Sequence, residues 1–208
     1  VRVQGRHKKQ TGGHGQFAEV WMRLDPLPEE DFEFANEVVG GHIPKNYIPG
    51  VEKGVVDAMK RGPLANCKVI NIKAAVYDGK FHPVDSSDMA FQIAGRGAFR
   101  EAMKLASPIL LEPIMKVSIT APDQYVGDIS GDLNQRRGRN CGMNADEGMQ
   151  TVVAEVPLGE LHNYSSQLRS ITQGRGSFDM EFIRYDQVPA NVAKVIQENA
   201  AKEAEEEE

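Results

Sequence analysis

The sequence has few cysteines and no long apolar run. Two cysteines among 208 residues, Cys67 and Cys141, are too few for the disulfide scaffold of a small secreted domain and favour a reducing cytoplasm. No apolar segment approaches the ~20 residues that a bilayer requires, so the sequence predicts no transmembrane helix and no membrane partner. The chain opens at Val1 with neither a signal peptide nor a methionine, so we expect a fragment of a longer protein.

Common catalytic and metal-binding motifs are also missing. The sequence contains no Gly-x-x-x-x-Gly-Lys-Ser/Thr phosphate loop, no His-Glu-x-x-His and no Cys-x-x-Cys. His82, Asp85 and Ser86 are close enough in sequence to suggest a catalytic triad. However, Asp85 and Ser86 are typical helix-capping residues, and a triad is defined by its geometry in space. We therefore predict no catalytic residue, no metal site and no cofactor within this chain.

Negative charge is concentrated at one end of the chain. Residues 1–110 carry fifteen Lys and Arg against thirteen Asp and Glu, whereas residues 111–208 carry nine against seventeen. Six of those seventeen acids lie between Glu198 and Glu208, opposed only by Lys202. Such a tail is typical of a solvated helix end. The net charge of −6 therefore neither indicates nor excludes nucleic-acid binding elsewhere.

The first half of the chain mixes strand and helix patterns. Alternating or β-rich segments, typical of strands, cover the start of the chain, Phe17–Leu24, Phe32–Val39 and Cys67–Tyr77. Asp78-Gly79 indicates a turn, and residues 81–84 a short extended segment. Apolar residues at helical spacing predict one helix over 51–59 and another from about 88 to 104, the second capped by Asp85 or Ser86.

The second half predicts a ferredoxin-like order of elements. Pro108 and Pro113 bracket the expected domain boundary. Strand patterns cover 115–120, 139–146, 150–156 and 178–185, and helical patterns cover 126–133 and 161–171. The order is strand–helix–strand–strand–helix–strand, the βαββαβ arrangement. We predict an α+β protein with domains over 1–111 and 112–190, followed by a C-terminal helix and acidic tail over 191–208.

Two loops carry groups that suit contact with RNA. The first lies between the first two strands and contains Gln10, Thr11, Gly12, Gly13 and His14. The second follows the β-rich segment and contributes Lys80 and His82. Glycines expose backbone N–H groups, and mixed polar loops suit recognition of structured RNA through its shape, ribose hydroxyls and phosphates. The alternative is that both loops are ordinary surface turns with solvated histidines.

Other basic residues are weaker candidates for RNA contact. The secondary candidates are Lys8, Lys9, Arg136, Arg137 and Arg139. Arg96, Arg100 and Lys104 form a basic stripe at helical spacing that is more often a solvated helix face. Cations near residues 136–139 can also simply complement the carbonyl end of a helix.

Several motifs resemble one known family. The matching segments are His7-x-Lys9-Gln10-Thr11-Gly12-Gly13-x-Gly15-Gln16-Phe17, Gly40-Gly41-x-Ile43-Pro44-x-x-Tyr47-Ile48-Pro49, Asp78-Gly79-x-x-His82-x-Val84-Asp85-Ser86-Ser87, Leu110–Met115, Gly127-Asp128-x-x-Gly131-Asp132-Leu133-x-x-Arg136-Arg137-Gly138 and Gln167–Ser170. Together they resemble the fourth and fifth domains of bacterial elongation factor G. The resemblance covers the chain except for its acidic tail.

The resemblance implies a fold and a function. The fourth domain of this family is ribosomal-protein-S5-like (domain 2) and the fifth is ferredoxin-like. The parent is a GTPase that moves transfer RNA and messenger RNA through the ribosome, with GTP and Mg²⁺ held by a domain that would precede Val1. The tip of the fourth domain enters the A site of the decoding region. By motif, Gln10–Gly13 and His82 would form that tip, and the fifth domain would contact large-subunit RNA. We expect a monomer.

Departures from the family pattern leave alternatives open. His14 and Phe17-Ala18 stand where Arg and Tyr-Gly are more frequent, and Pro83 stands where an acidic residue is common. A paralogue that acts in ribosome recycling fits these changes, as does a ribosome-protection factor of the tetracycline-resistance type. Two alternatives of other classes are a free-standing RNA-modifying or hydrolytic enzyme that uses His82 and Asp85, and an autonomous RNA-binding module.

Overall fold

The structure is a computed structural model that describes residues 1–10, 12–13 and 15–206. Its strands are β1 (Arg2–Lys9), β2 (Gln16–Pro26), β3 (Phe32–Asn36), β4 (Ile72–Lys80), β5 (Leu111–Pro122), β6 (Arg139–Asp146), β7 (Met149–Pro157) and β8 (Ser177–Gln187). Its α-helices are α1 (Ile48–Met59), α2 (Asp88–Leu105), α3 (Val126–Gln135), α4 (Tyr164–Thr172) and α5 (Ala190–Glu206). None of these helices is long and apolar enough to cross a membrane.

The chain divides into two compact units, one built on each of two sheets. The first comprises Val1–Pro108 and the part of α5 from Ala193 onward, and the second comprises Ile109–Val192. Both units combine a four-stranded sheet with helices. The predicted α+β class with two sheet-containing domains is therefore confirmed.

The sheet of the first unit has the strand order β1-β2-β4-β3. Its pairs are antiparallel except for β3 and β4, which are parallel and joined through α1. Helix α2 packs against β1, β2 and α1. The core between them consists of buried apolar side chains, and the large ones that are fully buried include Phe91, Phe99, Met22, Val51 and Val55.

Helices α1 and α2 approach each other so closely that two glycines are required. A Cβ on Gly54 of α1 would lie 2.1 Å from the carbonyl oxygen of Gln92 in α2. A Cβ on Gly95 of α2 would lie 2.7 Å from the carbonyl oxygen of Val51 in α1. Each helix therefore presents a bare backbone to the other, and this leaves little freedom for the two helices to shift.

The sheet of the second unit has the strand order β6-β7-β5-β8, and all its pairs are antiparallel. Helix α3 connects β5 to β6 and helix α4 connects β7 to β8. Apolar side chains from β5, β7, α3 and α4 form its core, including Val117, Ile119, Ile129, Val152 and Leu168. The ferredoxin-like order predicted from the sequence is present.

Three local predictions are wrong within β4 or beside its two ends. Asp78 and Gly79 do not form a turn but belong to β4, opposite Trp21 and Val20 of β2. Gly79 is needed because a Cβ there would lie 2.3 Å from the carbonyl oxygen of Glu19. Residues 67–71 are not part of a strand, and residues 83–85 form a turn rather than an extended segment.

The cap of α2 also differs from the prediction. The N-cap is Ser87, whose hydroxyl accepts a hydrogen bond from the backbone N–H of Ala90 at 3.1 Å. Asp85 and Ser86 lie in the preceding loop and make other contacts. Short polar residues in a row all fit an N-cap, so the sequence alone could not choose among them.

The close approach of α1 and α2 predicts opposite effects for two glycine substitutions. Gly54→Ala should lower the free energy of unfolding of the first unit by about 1–3 kcal/mol, because its methyl group collides with backbone. Gly97→Ala is the matched control, since nothing lies within 4 Å of that position on α2. It should stabilise the protein by up to about 1 kcal/mol through helix propensity. Urea denaturation measures both, and equal effects of the two substitutions would refute the close packing.

Candidate nucleic-acid interface

The two candidate loops leave the same end of the first sheet. Lys9, the last residue of β1, pairs with Gln16, the first residue of β2, so residues 10–15 connect these strands at this end. Lys80, the last residue of β4, pairs with Glu19 of β2. Residues 81–87 therefore emerge beside the same stretch of β2. We call this end of the unit, formed by residues 10–15 and 81–87, the tip.

Hydrogen bonds join the second loop to the base of the first. The backbone N–H of Phe17 donates to the carbonyl oxygen of Asp85 at 2.9 Å. The hydroxyl of Ser86 donates to the carbonyl oxygen of Phe17 at 2.7 Å. A Cβ on Gly15 would lie 2.9 Å from a carboxylate oxygen of Asp85. The two loops are thus in direct contact, and the backbone of Phe17 is bonded on both its polar groups.

The ring of His82 is held in one orientation by the backbone of its own turn. Its Nδ1 accepts hydrogen bonds from the backbone N–H groups of Asp85 at 3.1 Å and Val84 at 3.3 Å. Nδ1 therefore carries no proton, and its 3.6 Å approach to the Asp85 carboxylate is not an ion pair. The proton lies on Nε2, and the side chain is 52% exposed. His82 offers a hydrogen-bond donor to the outside.

The same contacts argue against a catalytic triad. The hydroxyl of Ser86 donates to the carbonyl of Phe17 and accepts the backbone N–H of His82 at 2.8 Å. It is not aimed at the imidazole ring, as a nucleophile activated by that base would be. Ser86 and Asp85 shape the turn, and the turn positions His82.

The first loop is open and polar. Gln10, Gly12 and Gly13 are exposed, and Gly12 has a φ of +37°, with no atom of the described residues within 4 Å of the place that a Cβ would take. Thr11 and His14, which were also predicted as tip residues, lie outside the described residues. A glycine at this φ avoids the strain that another residue would carry. The loop can therefore bring its backbone close to a ligand.

Cations surround the base of the tip. Lys8, Lys9 and Lys80 are exposed. The carboxylate of Glu19 is buried and lies between two cations, 3.8 Å from Arg6 and 3.7 Å from Lys80. The buried acid anchors these two side chains, while the two lysines at the end of β1 have no acidic neighbour within ion-pair distance among the described residues. The tip is therefore positively charged on its β1 side.

A third segment, residues 37–47, reaches the tip and was missed in the sequence. Gly40 and Gly41 have φ values of +70° and +72°, a conformation that favours glycine. Nδ1 of His42 lies 2.7 Å from the carboxylate of Asp78 on β4. The hydroxyl of Tyr47 donates to the carbonyl oxygen of Ser86 at 3.3 Å. The paired glycines were the available signal, because they begin one of the motifs that carry the family resemblance.

The candidate arginines of the second unit are engaged within that unit. Arg136 pairs with Asp132 at 2.7 Å and donates to the carbonyl oxygen of Glu160 at 2.6 Å. Arg137 makes a two-pronged hydrogen bond to Glu112 at 2.9 and 2.7 Å and a third bond to Glu160 at 2.8 Å. The hydrogen bonds to Glu112 raise the pKa of the Arg137 guanidinium above its usual range. Both arginines hold the unit together.

Arg139 differs from its two neighbours. It is exposed at the start of β6, opposite Glu155 of β7. Glu155 is itself paired with Arg184 at 2.9 Å, which lowers the pKa of that carboxyl. Arg139 is therefore exposed, whereas Arg136 and Arg137 are half-buried.

Comparison with known proteins follows the division into two units. The family model of elongation factor G domain IV matches residues 1–107, and the family model of the elongation factor G C-terminus matches residues 109–196. The crystal structure of ttk003000868 from Thermus thermophilus superposes with a TM-score of 0.89 at 44% sequence identity, over 97% of this chain and 30% of that chain. The chain thus spans less than a third of that protein's length.

The two family models together cover nearly the whole chain. The chain belongs to the elongation factor G family, as its fourth and C-terminal domains. The resemblance and the fold inferred from the sequence are therefore confirmed, and membership places the chain among translation factors.

The contact between His42 and Asp78 predicts a measurable titration. The hydrogen bond from His42, and then that from the backbone N–H of Gly79, hold the pKa of Asp78 below its ordinary value of 3.8. This pair therefore stabilises the folded state above that ordinary value, and the stabilisation is lost as pH falls through the lowered pKa. His42→Ala should raise the Asp78 pKa toward 3.8, measured by carboxyl NMR.

The matched control for this titration is His7→Ala. The imidazole of His7 contacts Gln16 at 2.7 Å and has no contact with Asp78. It should leave the Asp78 titration unchanged. An Asp78 pKa that is the same in His42→Ala as in the parent would show that the 2.7 Å contact is not formed in solution.

Proposed function

We propose that this chain is the C-terminal arm of a translational GTPase that promotes movement of transfer RNA and messenger RNA on the ribosome. In this proposal the tip enters the A site of the decoding region, and the second unit contacts large-subunit RNA. The observation that carries the proposal is the bonding of residues 81–87 to Phe17, since it makes one RNA-sized surface from two loops. Family membership supports the translation-factor class.

The tip has the chemistry that contact with structured RNA requires. Gln10 and the backbone of Gly12 and Gly13 supply donors and acceptors that can reach ribose hydroxyls and phosphates. Lys8 and Lys9 supply charge for phosphates. His82 supplies a single directed Nε2–H donor whose orientation is already fixed. A donor whose orientation is already fixed loses little entropy on binding. It therefore favours the one position of the RNA in which an acceptor lies opposite Nε2.

No proton transfer or covalent step is assigned to these residues. GTP and Mg²⁺ would be bound by a part of the parent protein outside this chain, and hydrolysis there would supply the free energy for movement. The arm would then stabilise the moved position of the codon–anticodon helix by occupying the A site. The proposal further places the parent protein in the cytoplasm, acting as a monomer on the ribosome.

Ribosome recycling is a second candidate function. Pro83 opens the turn that follows His82, where the family more often has an acidic residue, so the tip carries one negative charge fewer. A ribosome-splitting assay with the full-length protein distinguishes recycling from translocation. A toeprinting assay in the presence of tetracycline distinguishes both from a ribosome-protection factor.

Substitutions of His82 in the full-length factor test the role of its Nε2–H. His82→Ala should slow translocation about tenfold, the effect of losing one hydrogen bond of about 1.4 kcal/mol, while GTP hydrolysis stays unchanged. His82→Gln should keep more activity than His82→Asn, because a glutamine amide reaches the position of Nε2 and an asparagine amide that of Nδ1. Toeprinting and phosphate release measure the two rates.

The control for the His82 series is His162→Ala, which removes an exposed histidine in the second unit. It should leave both rates unchanged. Equal losses of translocation and GTP hydrolysis in His82→Ala would contradict the separation of the tip from the hydrolysis step. Greater activity of His82→Asn than of His82→Gln would contradict the assignment of the donor to Nε2.

A further inference from the structure

A basic groove lies on the side of the first unit, away from the tip residues. It has a volume of about 760 Å³ and lies between β1, the segment that follows α1, and the C-terminal half of α2. Its cationic lining residues are Arg6, Arg61, Arg100 and Lys104. Among the described residues, Glu101 is the one acid in the lining. We call this feature the side groove.

The positive charge of the side groove is only partly neutralised. Lys104 contacts Glu101 at 2.7 Å, but both side chains are mostly exposed, so this ion pair is weak. Arg6 shares Glu19 with Lys80. Within the described part of the chain, the exposed Arg61 and Arg100 have no acidic group within ion-pair distance. The groove therefore holds two exposed cations, Arg61 and Arg100, that pair with no acid of the described chain.

Helix stability explains only some of these cations. Lys104 lies in the last turn of α2, where a cation is favoured by the helix dipole. Arg100 lies before the last turn of α2, so the helix dipole does not favour a cation there. It is four residues from Lys104 on the same face of the helix, so the two like charges repel each other. An arrangement that costs stability in the free protein is expected where an anionic ligand is bound.

The shape and composition of the groove favour an RNA backbone as this ligand. Arginine side chains bind phosphates through paired N–H groups, and the amides of Gln4 and Asn66 can bond ribose hydroxyls. Phe99 is the one aromatic residue in the lining and is 1% exposed, so no base can stack on it. The contact would therefore be independent of base sequence.

An acidic peptide added as a strand fits less well. β1 is an edge strand, and Arg2, Gln4 and Arg6 are exposed along it. Charged side chains along an edge are a common device against pairing with another strand. An RNA backbone can bind the cations of the groove through its phosphates and does not need to pair with β1 as a strand.

The side groove is distant enough from the tip to act separately. Helix α2 begins at Asp88, just after the tip, and Arg100 lies twelve residues further along, or about 18 Å at 1.5 Å per residue. We propose that the side groove is a second RNA-binding site, which binds the sugar–phosphate backbone of a ribosomal RNA strand. This inference rests on the proposed entry of the tip into the ribosome.

The test uses the 208-residue chain and two probes, a single-stranded U30 oligonucleotide and purified ribosomes. The side-groove variant is Arg61→Glu/Arg100→Glu. Its matched control is Lys53→Glu/Lys194→Glu, which makes the same change of charge at exposed residues outside the groove, the tip and the second unit. A third variant, His82→Ala, reports on the tip. Fluorescence anisotropy over a range of salt concentrations gives the affinity for each probe.

We expect the side-groove variant to lose affinity for U30 and the slope of log K against log[salt] to become shallower by about 1.4, since each lost single-strand phosphate contact contributes about 0.7. The control should retain the slope of the parent. Absence of U30 binding by the parent, an unchanged slope in the side-groove variant, or an equal loss in the control would overturn the proposal. Preferential binding of polyglutamate in place of U30 would also overturn it.

The ribosome probe separates this inference from the proposed function. Loss of ribosome binding in His82→Ala with no loss in the side-groove variant would refute the side groove and leave the tip proposal intact. Binding to ribosomes that neither variant weakens would refute both. Weakened ribosome binding in both variants, with a different dependence of affinity on salt concentration in each, supports two separate sites.

Discussion

The arrangement of the tip depends on the backbone of Phe17. Its N–H and its carbonyl are both bonded to the turn that follows β4, through Asp85 and Ser86. Because Phe17 is also paired with Lys8 of β1, three separate parts of the chain meet at one residue. The start of β2 and the turn that holds His82 cannot separate without breaking these bonds. The tip is therefore a part of the sheet rather than two independent loops.

Some cations of the chain are bound within the fold, and others stay exposed. In the second unit, Arg136 and Arg137 are bound by carboxylates and carbonyls of the same unit, and their charge stabilises its fold. In the first unit, Lys8 and Lys9 at the tip and Arg61 and Arg100 in the side groove stay exposed. This contrast explains how a chain with a net charge of −6 can present basic surfaces to RNA.

The order of elements could be predicted from the sequence because apolar periodicity is local. The contacts could not, because they join residues that are far apart in the chain. The βαββαβ order follows from spacing alone, whereas the partners of Arg137 lie 25 and 23 residues away and leave no signal in its neighbourhood. Asp78-Gly79 was interpreted as a turn because that dipeptide is typical of one. Its glycine is instead required where the carbonyl of Glu19 approaches, a constraint that only the folded sheet creates.

We propose that the loop between β1 and β2 and the turn around His82 present one surface to ribosomal RNA. Directed hydroxyl-radical cleavage tests it most directly, with an iron chelate attached to a cysteine at Gln10 or at Val84 in a full-length protein whose exposed Cys67 and Cys141 are replaced by serine. We expect overlapping cleavage of the same small-subunit RNA segments from both positions. Cleavage of unrelated segments from the two positions, or of none, would contradict it.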